Sequence, residues 1–255
     1  MEFVELTVEG PVALVRVDRP PVNALTEDAA LELRHAFESC ADSAIRSVVV
    51  TGQPHFAAGA DITGFQATFD SGAEERSAWT LQDAIACLES LEKPTIAAVH
   101  GYALGGGLEL AMGADFRYLA EDARVGQPEI LLGLIPGAGG TQRLTRIVGY
   151  QRAKEMIFSG RQLDAEEALA IGLADKVFPG NDLLDRAMEA AQEWATAPTR
   201  AIAAAKKALN LGSGLPVDEG LLVEREAFNE SFKTEDAREG VAAFIAKRQA
   251  EFKGR

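Results

Sequence analysis

Short apolar runs alternate with helix-like stretches along most of this chain, and that order constrains the fold more than any other feature. Residues 48–50 (Val-Val-Val) form a continuous apolar run, which is typical of a strand covered on both faces. A helical stretch over 81–91 leads into a second buried strand at 95–99. Glycine-rich 105–112 reads as a loop entering a helix, and a strand at 116–119 follows. This order predicts an α/β body of crossover units with parallel strands over about the first 190 residues.

The two ends of the chain read differently from this body. Alternating apolar residues at 3–8 and 12–17, separated by Gly10 and Pro11, predict a β-hairpin. Thr26 is placed to cap the helix that follows the hairpin. From about residue 199 the spacing is helical through 201–209 and 221–252, with a turn at 212–216 and no strand-like run. This tail covers either a neighbouring subunit or its own body, and composition does not separate the two.

Charge and cysteine content exclude several classes of protein. The chain holds 25 Lys+Arg against 39 Asp+Glu, and the resulting net charge of -14 argues against nucleic-acid binding. Its two cysteines, Cys40 and Cys87, lie far apart, so we expect neither a disulfide framework nor a zinc site, and we expect a reducing compartment. No signal-peptide pattern or run of ~18 apolar residues is present, so the prediction is a cytoplasmic protein without membrane contact.

The glycine-rich segments do not match the common nucleotide motifs. In the Gly-Ala-Gly-Gly-Thr run at 137–141, the next residue is Gln142 where the dinucleotide fingerprint requires glycine. No glycine-rich loop ends in the Gly-Lys-Ser/Thr of a phosphate-binding loop, and neither His-Glu-x-x-His nor Gly-x-Ser-x-Gly occurs. Nucleotide hydrolysis, zinc proteolysis and serine hydrolysis are therefore disfavoured.

Two loops of small residues follow predicted strands, at 56–61 (Phe-Ala-Ala-Gly-Ala-Asp) and 101–107 (Gly-Tyr-Ala-Leu-Gly-Gly-Gly). Small side chains let a ligand approach the backbone N–H groups, and a helix start leaves such donors unpaired. The two loops together could form an oxyanion hole. The alternative is tight packing of strand against helix, for which small residues are equally suited.

Glu109 and Glu129 are two acids beside apolar runs. Burial raises the pKa of a carboxyl group toward neutrality, and a second acid nearby raises it further, which suits one group as base and the other as acid. The alternative readings are a charge that satisfies the helix dipole for Glu109 and a surface turn for Glu129.

Taken together, the segments 56–62, 101–111, 126–129 and 136–144 closely resemble those of the crotonase (enoyl-CoA hydratase/isomerase) family, and of its hydratases in particular. The resemblance runs from residues 19–25 to the tail and covers essentially the whole chain. It implies an α/β core of ββα units arranged in a spiral, with a C-terminal helical trimerisation region. The core is expected over 1–196 and the helical region over 197–255, in a homotrimer or a homohexamer built as a dimer of trimers.

The resemblance also implies roles for particular residues. Backbone N–H groups of Ala60 and Gly106 would hold the thioester carbonyl oxygen, Glu109 would activate water and Glu129 would deliver a proton to C2. The N–H of Gly137 would help to hold the water. Further contacts to the acyl-CoA substrate are expected at Ala58, Asp61 and Ile62.

A pair of acids favours hydration over its alternatives. A double-bond isomerase can move a proton with one carboxylate, whereas water addition uses both. Δ3-Δ2-enoyl-CoA isomerase, or another acyl-CoA lyase of the family, is the alternative enzyme. A catalytically silent subunit that binds acyl-CoA is the alternative without activity, and a dinucleotide-dependent reductase is a remote one.

Coenzyme A is polyanionic, so a chain of this net charge must concentrate positive charge locally to bind it. Arg19 is one candidate, and Lys253, with Phe252 beside it, is another that by resemblance would reach a neighbouring subunit. No metal or redox cofactor is expected, since CoA is part of the substrate. The acyl pocket wall is expected within 62–79, where Phe65, Phe69 and Trp79 are either lining residues or core and interface aromatics.

Overall fold

The computed structural model describes residues 1–72 and 77–255, apart from the side chains at positions 64, 66, 67 and 77. Its fold is mixed α/β. The strands are β1 (Val4–Glu9), β2 (Val12–Val17), β3 (Ser47–Gly52), β4 (Thr95–Val99), β5 (Tyr102–Leu104), β6 (Phe116–Ala120), β7 (Arg124–Gly126), β8 (Gln162–Asp164) and β9 (Lys176–Phe178). The helices are α1 (Glu27–Ser39), α2 (Phe65–Ser71), α3 (Ser77–Ser90), α4 (Gly106–Met112), α5 (Gly140–Val148), α6 (Tyr150–Ser159), α7 (Ala165–Ala170), α8 (Leu183–Thr196), α9 (Thr199–Gly212), α10 (Val217–Ser231) and α11 (Glu235–Ala246). Residues Ile62–Gly64 and Pro128–Leu132 form 3-10 helices.

The larger sheet has the strand order β1-β2-β3-β4-β6-β9. Strands β1 and β2 form the predicted antiparallel hairpin, in which Val4 lies opposite Val17. All later neighbours in this sheet are parallel, as the alternation of strands and helices predicts. Thr26 caps α1 as expected, since its hydroxyl oxygen accepts a hydrogen bond from the N–H of Ala29 at 3.1 Å.

Both faces of this sheet are covered, which explains the continuous apolar runs. Val48 and Val50 lie in the apolar layer beneath α1 and α3, together with Leu33 of α1. Val49 points the other way, into a second layer that includes Ala187 of α8. A strand buried on both faces has no polar side to alternate with, so the sequence reads Val-Val-Val.

The carboxyl ends of β3 and β4 lie at the same edge of the sheet, because the two strands are parallel. Residues 53–61 follow β3, and the segment that follows β4 leads through β5 into α4. β5 belongs to a smaller sheet with the order β5-β7-β8. A backbone bridge between Ala57 and Ala103 joins the two segments at this edge. The fold therefore brings the two glycine-rich loops together.

The C-terminal region contains α9, α10 and α11, and the turn predicted at 212–216 separates the first two. Lys206 of α9 is buried and donates to Asp115 at 2.9 Å, which ties the tail to the body. The helical spacing predicted to continue to residue 252 is wrong at its end. Helix α11 stops at Ala246, because Lys247 adopts a left-handed conformation with φ 53° and the chain reverses.

Within the described ranges, no helix combines the length and the apolar character that a membrane crossing requires.

Candidate active site

The two glycine-rich loops are joined by backbone hydrogen bonds. The N–H of Ala57 donates to the carbonyl of Tyr102 at 2.9 Å, and the N–H of Leu104 donates back to the carbonyl of Ala57 at 3.1 Å. At Gly107 a Cβ atom would lie 2.0 Å from that same Ala57 carbonyl oxygen, so only glycine lets α4 begin this close to the loop. The packing alternative is thus correct for this glycine.

Ala60 and Gly106 face each other across this junction. A Cβ built on Gly106 would lie 3.6 Å from the amide nitrogen of Ala60. Among the described residues, no oxygen accepts a hydrogen bond from the N–H of either residue, although their neighbours Asp61 and Gly105 donate to Leu25 and Gly126. Two unpaired N–H groups this close together at a helix start are suited to bind a carbonyl oxygen, and their role as an oxyanion hole stays a prediction.

Glu109 lies one turn into α4 and is 2% exposed. Its Oε1 accepts hydrogen bonds from the N–H groups of Ala138 at 2.8 Å and Gly140 at 2.7 Å. Burial raises the pKa of Glu109, and these two bonds oppose the rise because they stabilise the charged form. The group is therefore a desolvated carboxylate whose orientation is fixed by the backbone.

Glu129 is half-buried in the 3-10 helix Pro128–Leu132, next to the residue that precedes α4. Its Oε1 lies 3.0 Å from the position that a Cβ would occupy on Gly105. Burial, together with the negative charge of Glu109, raises the pKa of Glu129 to about 7. The structure thus brings the two predicted acids together, with the environment of each shifting its titration upward.

Gln127 is a residue of this site that sequence reasoning missed. It is fully buried, and with its nitrogen facing Glu129 the carboxamide donates to Oε1 at 2.9 Å and to Oε2 at 3.1 Å. It also lies near the backbone of Gly140, which donates to Glu109. A neutral amide between Gly126 and Pro128 carries no charge signal, so only its burial identifies it.

Asp61 and Arg19 form an ion pair beside Ala60, with 2.8 Å between Nη2 of Arg19 and Oδ2 of Asp61. Asp61 also caps the 3-10 helix Ile62–Gly64 by accepting from the N–H of Thr63 at 3.1 Å. The hydrogen bonds from Thr63 and then the Arg19 guanidinium keep the pKa of Asp61 below its usual range. The pair fixes the end of the loop that carries Ala60, and contact of Arg19 with CoA stays a prediction.

The remaining predicted contacts surround the same edge. Ala58 donates its N–H to the carbonyl of Val22 at 3.0 Å, which pins the loop, and Ile62 is half-exposed. Gly137 is exposed in the turn that precedes Ala138. The roles of these residues toward a substrate or a water molecule stay predictions.

Lys253 lies at the opposite end of the molecule from these loops. Its N–H donates to buried Asp236 at 2.7 Å, and the carbonyl of Phe252 accepts from Arg46 at 3.2 Å. Arg46 immediately precedes β3, whereas Ala60 follows the carboxyl end of that strand. Since six strand residues span about 20 Å, the tail lies far from its own candidate site. Contact of Lys253 with a neighbouring subunit stays a prediction.

The proposed acyl wall at 62–79 includes residues 73–76, which lie outside the described residues. Within the described part, Phe65 is half-buried, while Phe69 and Trp79 are 64% and 51% exposed. Their exposure excludes a core role for Phe69 and Trp79. Lining of a pocket and contact with another subunit both stay open.

Residues 1–72 and 77–255 contain no group of three or more His, Cys, Asp and Glu side chains arranged to hold a metal ion. Cys40 and Cys87 are both unpaired thiols. The chemistry that the described site offers is therefore that of two carboxyl groups and two backbone donors.

Comparisons with known proteins identify the family of the chain. Residues 7–255 match the family described as enoyl-CoA hydratase/isomerase. The short-chain-enoyl-CoA hydratase of Clostridium acetobutylicum is 43% identical over 98% of this chain and 97% of its own length. The crotonyl-CoA hydratase of Syntrophomonas wolfei is 40% identical over 98% of both chains. The crystal structure of an enoyl-CoA hydratase from Bacillus anthracis superposes with a TM-score of 0.91 at 34% identity, covering 99% of this chain and 100% of that one. The protein therefore belongs to the enoyl-CoA hydratase/isomerase, or crotonase, family.

Proposed function

We propose that this protein is an enoyl-CoA hydratase, which adds water across the 2,3 double bond of a trans-2-enoyl-CoA to give a 3-hydroxyacyl-CoA. The observation that carries the proposal is the position of two acids, buried Glu109 and half-buried Glu129, beside the start of α4, where the N–H groups of Ala60 and Gly106 lie close together. Full-length similarity to proteins named as hydratases supports it.

The backbone donors act on the thioester. Its carbonyl oxygen accepts from the N–H groups of Ala60 and Gly106, which draws electron density from the conjugated double bond and makes C3 electrophilic. As water adds, negative charge moves to that oxygen. The two donors stabilise this enolate-like charge more strongly than the ground-state carbonyl, so they lower the barrier.

The acids move the protons. Ionised Glu109 takes a proton from water as the new O–C3 bond forms, and the N–H of Gly137 helps to hold that water. Protonated Glu129 gives its proton to C2 as the C2–C3 π bond becomes the new C2–H bond. One proton is accepted and one is donated, so the net reaction adds one water. With a pKa of about 7, Glu129 retains a proton to give under neutral conditions.

Two acids favour hydration over the isomerase alternative. Double-bond migration returns one proton to a different carbon and needs no base that activates water. Glu109 has a fixed orientation and raised pKa that an isomerase would not require. Isomerisation or another acyl-CoA lyase reaction remains the second candidate, since the family match covers both activities.

The substrate is an acyl-CoA thioester. The reaction needs no redox group because no electrons are transferred to a cofactor, and in this proposal the N–H groups of Ala60 and Gly106 polarise the carbonyl in place of a metal. We assign substrate contacts to Ala58, Asp61 and Ile62, which flank Ala60. We propose that Arg19 of the same chain and Lys253 of a neighbouring chain contact the CoA phosphates. The unpaired cysteines are the basis for a reducing, cytoplasmic location.

We further infer that the chain assembles as a homotrimer or homohexamer, with a ββα spiral over 1–196 and a helical trimerisation region over 197–255. The support comes from α9 and α10, which line a cavity with apolar side chains, several of them exposed. Leu209, Val217, Leu221 and Phe228 are all more than half-exposed there. A second copy of the chain would cover them.

The test is the loss of ultraviolet absorbance of the conjugated enoyl thioester when enzyme is added to crotonyl-CoA. Wild type is expected to consume it rapidly, and Glu109→Gln and Glu129→Gln to lower the rate by about 10²-fold or more. Glu166→Gln, an exposed glutamate on α7, is the matched control and should retain the wild-type rate. Absence of turnover with both short and long enoyl-CoA would overturn the proposal in favour of an isomerase or a silent acyl-CoA-binding subunit.

A further inference from the structure

Arg143 of α5 connects helix α3 to the backbone turn that holds Glu109. Its Nη1 donates to the carbonyl of Ala138 at 3.1 Å, and its Nη2 lies 2.8 Å from Oε2 of Glu89 on α3. A second bond, from Nε to Oε1 of Glu89 at 3.4 Å, makes the pair bidentate. The Arg143 side chain is only 14% exposed and the Glu89 side chain 42%, so the link is shielded from water at its arginine end.

The guanidinium packs directly on the turn. Gly139 has φ 107°, and a Cβ atom there would lie 2.1 Å from Nη1 of Arg143. The residues on either side of Gly139, Ala138 and Gly140, supply the two N–H groups that hold Oε1 of Glu109. Ala138 is therefore fixed at both of its ends, by Arg143 at its carbonyl and by Glu109 at its amide.

Arg143 also acts on Glu109 through its charge. Burial raises the pKa of Glu109, while the Arg143 guanidinium opposes that rise along with the two backbone bonds. Among the described residues, the charged groups near this pair include Glu129, whose pKa the charge of Glu109 raises, and Glu89, which partly neutralises Arg143. A guanidinium keeps its charge at every pH at which the enzyme is folded.

We propose that Arg143 is a positioning residue for the hydration reaction, which keeps the Glu109 carboxylate oriented and ionised at neutral pH. The inference rests on the proposed role of Glu109 as the base that activates water. It assigns to α5 a function beyond packing, since the helix delivers a permanent positive charge to the back of the turn.

The test is the pH profile of kcat/KM for crotonyl-CoA in wild type, Arg143→Gln and Arg143→Lys. Because Glu109 must be ionised to act as base, activity is lost on the acid side. Arg143→Gln is expected to move this acid limb to a pH about 1 unit higher. At pH values below the limb kcat/KM would then fall about tenfold, and above about pH 8 the loss would be smaller. Arg143→Lys retains the charge and should keep its limb near that of wild type. Arg146→Gln, an exposed arginine on the same helix, is the matched control.

An acid limb that stays in place in Arg143→Gln, with the rate lowered equally at every pH, would overturn the proposal and leave Arg143 a purely structural link. If that variant does not fold, Glu89→Gln serves instead, because it keeps the guanidinium and removes the carboxylate that partly neutralises it. The acid limb of Glu89→Gln should move to lower pH. An unmoved limb contradicts the proposal. Glu109→Gln separates the two hypotheses: a wild-type rate in that variant refutes the base assignment itself, whatever Arg143 does.

Discussion

Two glutamates with the same side chain suit different proposed tasks because their surroundings differ. Burial raises the pKa of both groups, but at Glu109 two backbone N–H bonds and the charge of Arg143 oppose the rise, whereas at Glu129 the charge of Glu109 adds to it and the pKa reaches about 7. This difference supports the proposal that Glu109 accepts a proton and Glu129 donates one. Because the two groups interact, they titrate as a pair.

The first residue-scale prediction concerns activity. Glu129 must be protonated to deliver its proton, so kcat/KM for hydration should fall as pH rises through about 7. Steady-state rates with crotonyl-CoA, measured between about pH 5.5 and 9, define this alkaline limb. A rate that stays constant from neutral to alkaline pH would contradict the assignment of Glu129 as the acid.

The second residue-scale prediction concerns stability. The native pKa of Glu129, about 7, exceeds the ordinary value of 4.5, so ionising this group costs the folded state more than the unfolded one. Stability is lost as pH rises from the unfolded pKa through the folded one. Glu129→Gln removes that cost and should raise Tm more at pH 8, about one unit above the interval, than at pH 5, near its lower end. Thermal unfolding at both values tests it, with Glu166→Gln expected to show no such difference.

At the scale of the element, the start of α4 is the part on which the candidate site most depends. Gly107→Ala would place a Cβ against the Ala57 carbonyl oxygen and force α4 away from the loop that carries Ala60. We expect kcat to fall by about 10²-fold, the usual cost of losing an oxyanion donor, with a smaller change in KM. Gly180→Ala, whose Cβ would meet Asp122 at 3.8 Å, is the control. Retention of wild-type kcat in a folded Gly107→Ala protein would exclude this dependence.

The same elements show how far the sequence predicts the structure. Strands β3 and β4 were predictable because both of their faces are buried and their apolar runs are continuous. The smaller sheet was not, since β5, β7 and β8 have three residues each, too few to form a periodic pattern. The end of α11 was misplaced because apolar spacing happens to persist to Phe252, although the chain turns at Lys247.

Within the site, the two acids and the glycine-rich loops could be predicted from the sequence. A neutral side chain, and a side chain whose partner lies far along the chain, could not. Glu109 and Glu129 stand out as acids among apolar residues, and the loops around Ala60 and Gly106 stand out by their small side chains. Gln127 and Arg143 carry no such local signal. Their importance comes from burial and from partners far along the chain, such as Glu89 for Arg143.

At the scale of the whole molecule, the tail lies at the amino ends of the parallel strands and the candidate site at their carboxyl ends. We expect light scattering to give a mass three or six times that of one chain. Replacing Phe228 in the α9–α10 cavity with Asp should dissociate the assembly, whereas Val8→Asp on the edge strand β1 should not. A monomeric wild-type protein would refute the assembly and remove the basis for a role of Lys253 in a neighbouring site.

The two N–H donors of Ala60 and Gly106 belong to the main chain, which has an evolutionary consequence. At Ala60 a change of side chain leaves the donor in place and only proline deletes it, whereas at Gly106 a Cβ would lie 2.9 Å from Cδ2 of Leu81 and beside the N–H of Ala60, which favours glycine. Side chains around the acyl group can therefore diversify while the proposed hold on the thioester oxygen is inherited. A lineage of such enzymes can explore new acyl groups without passing through ancestors that have lost the common step of carbonyl polarisation.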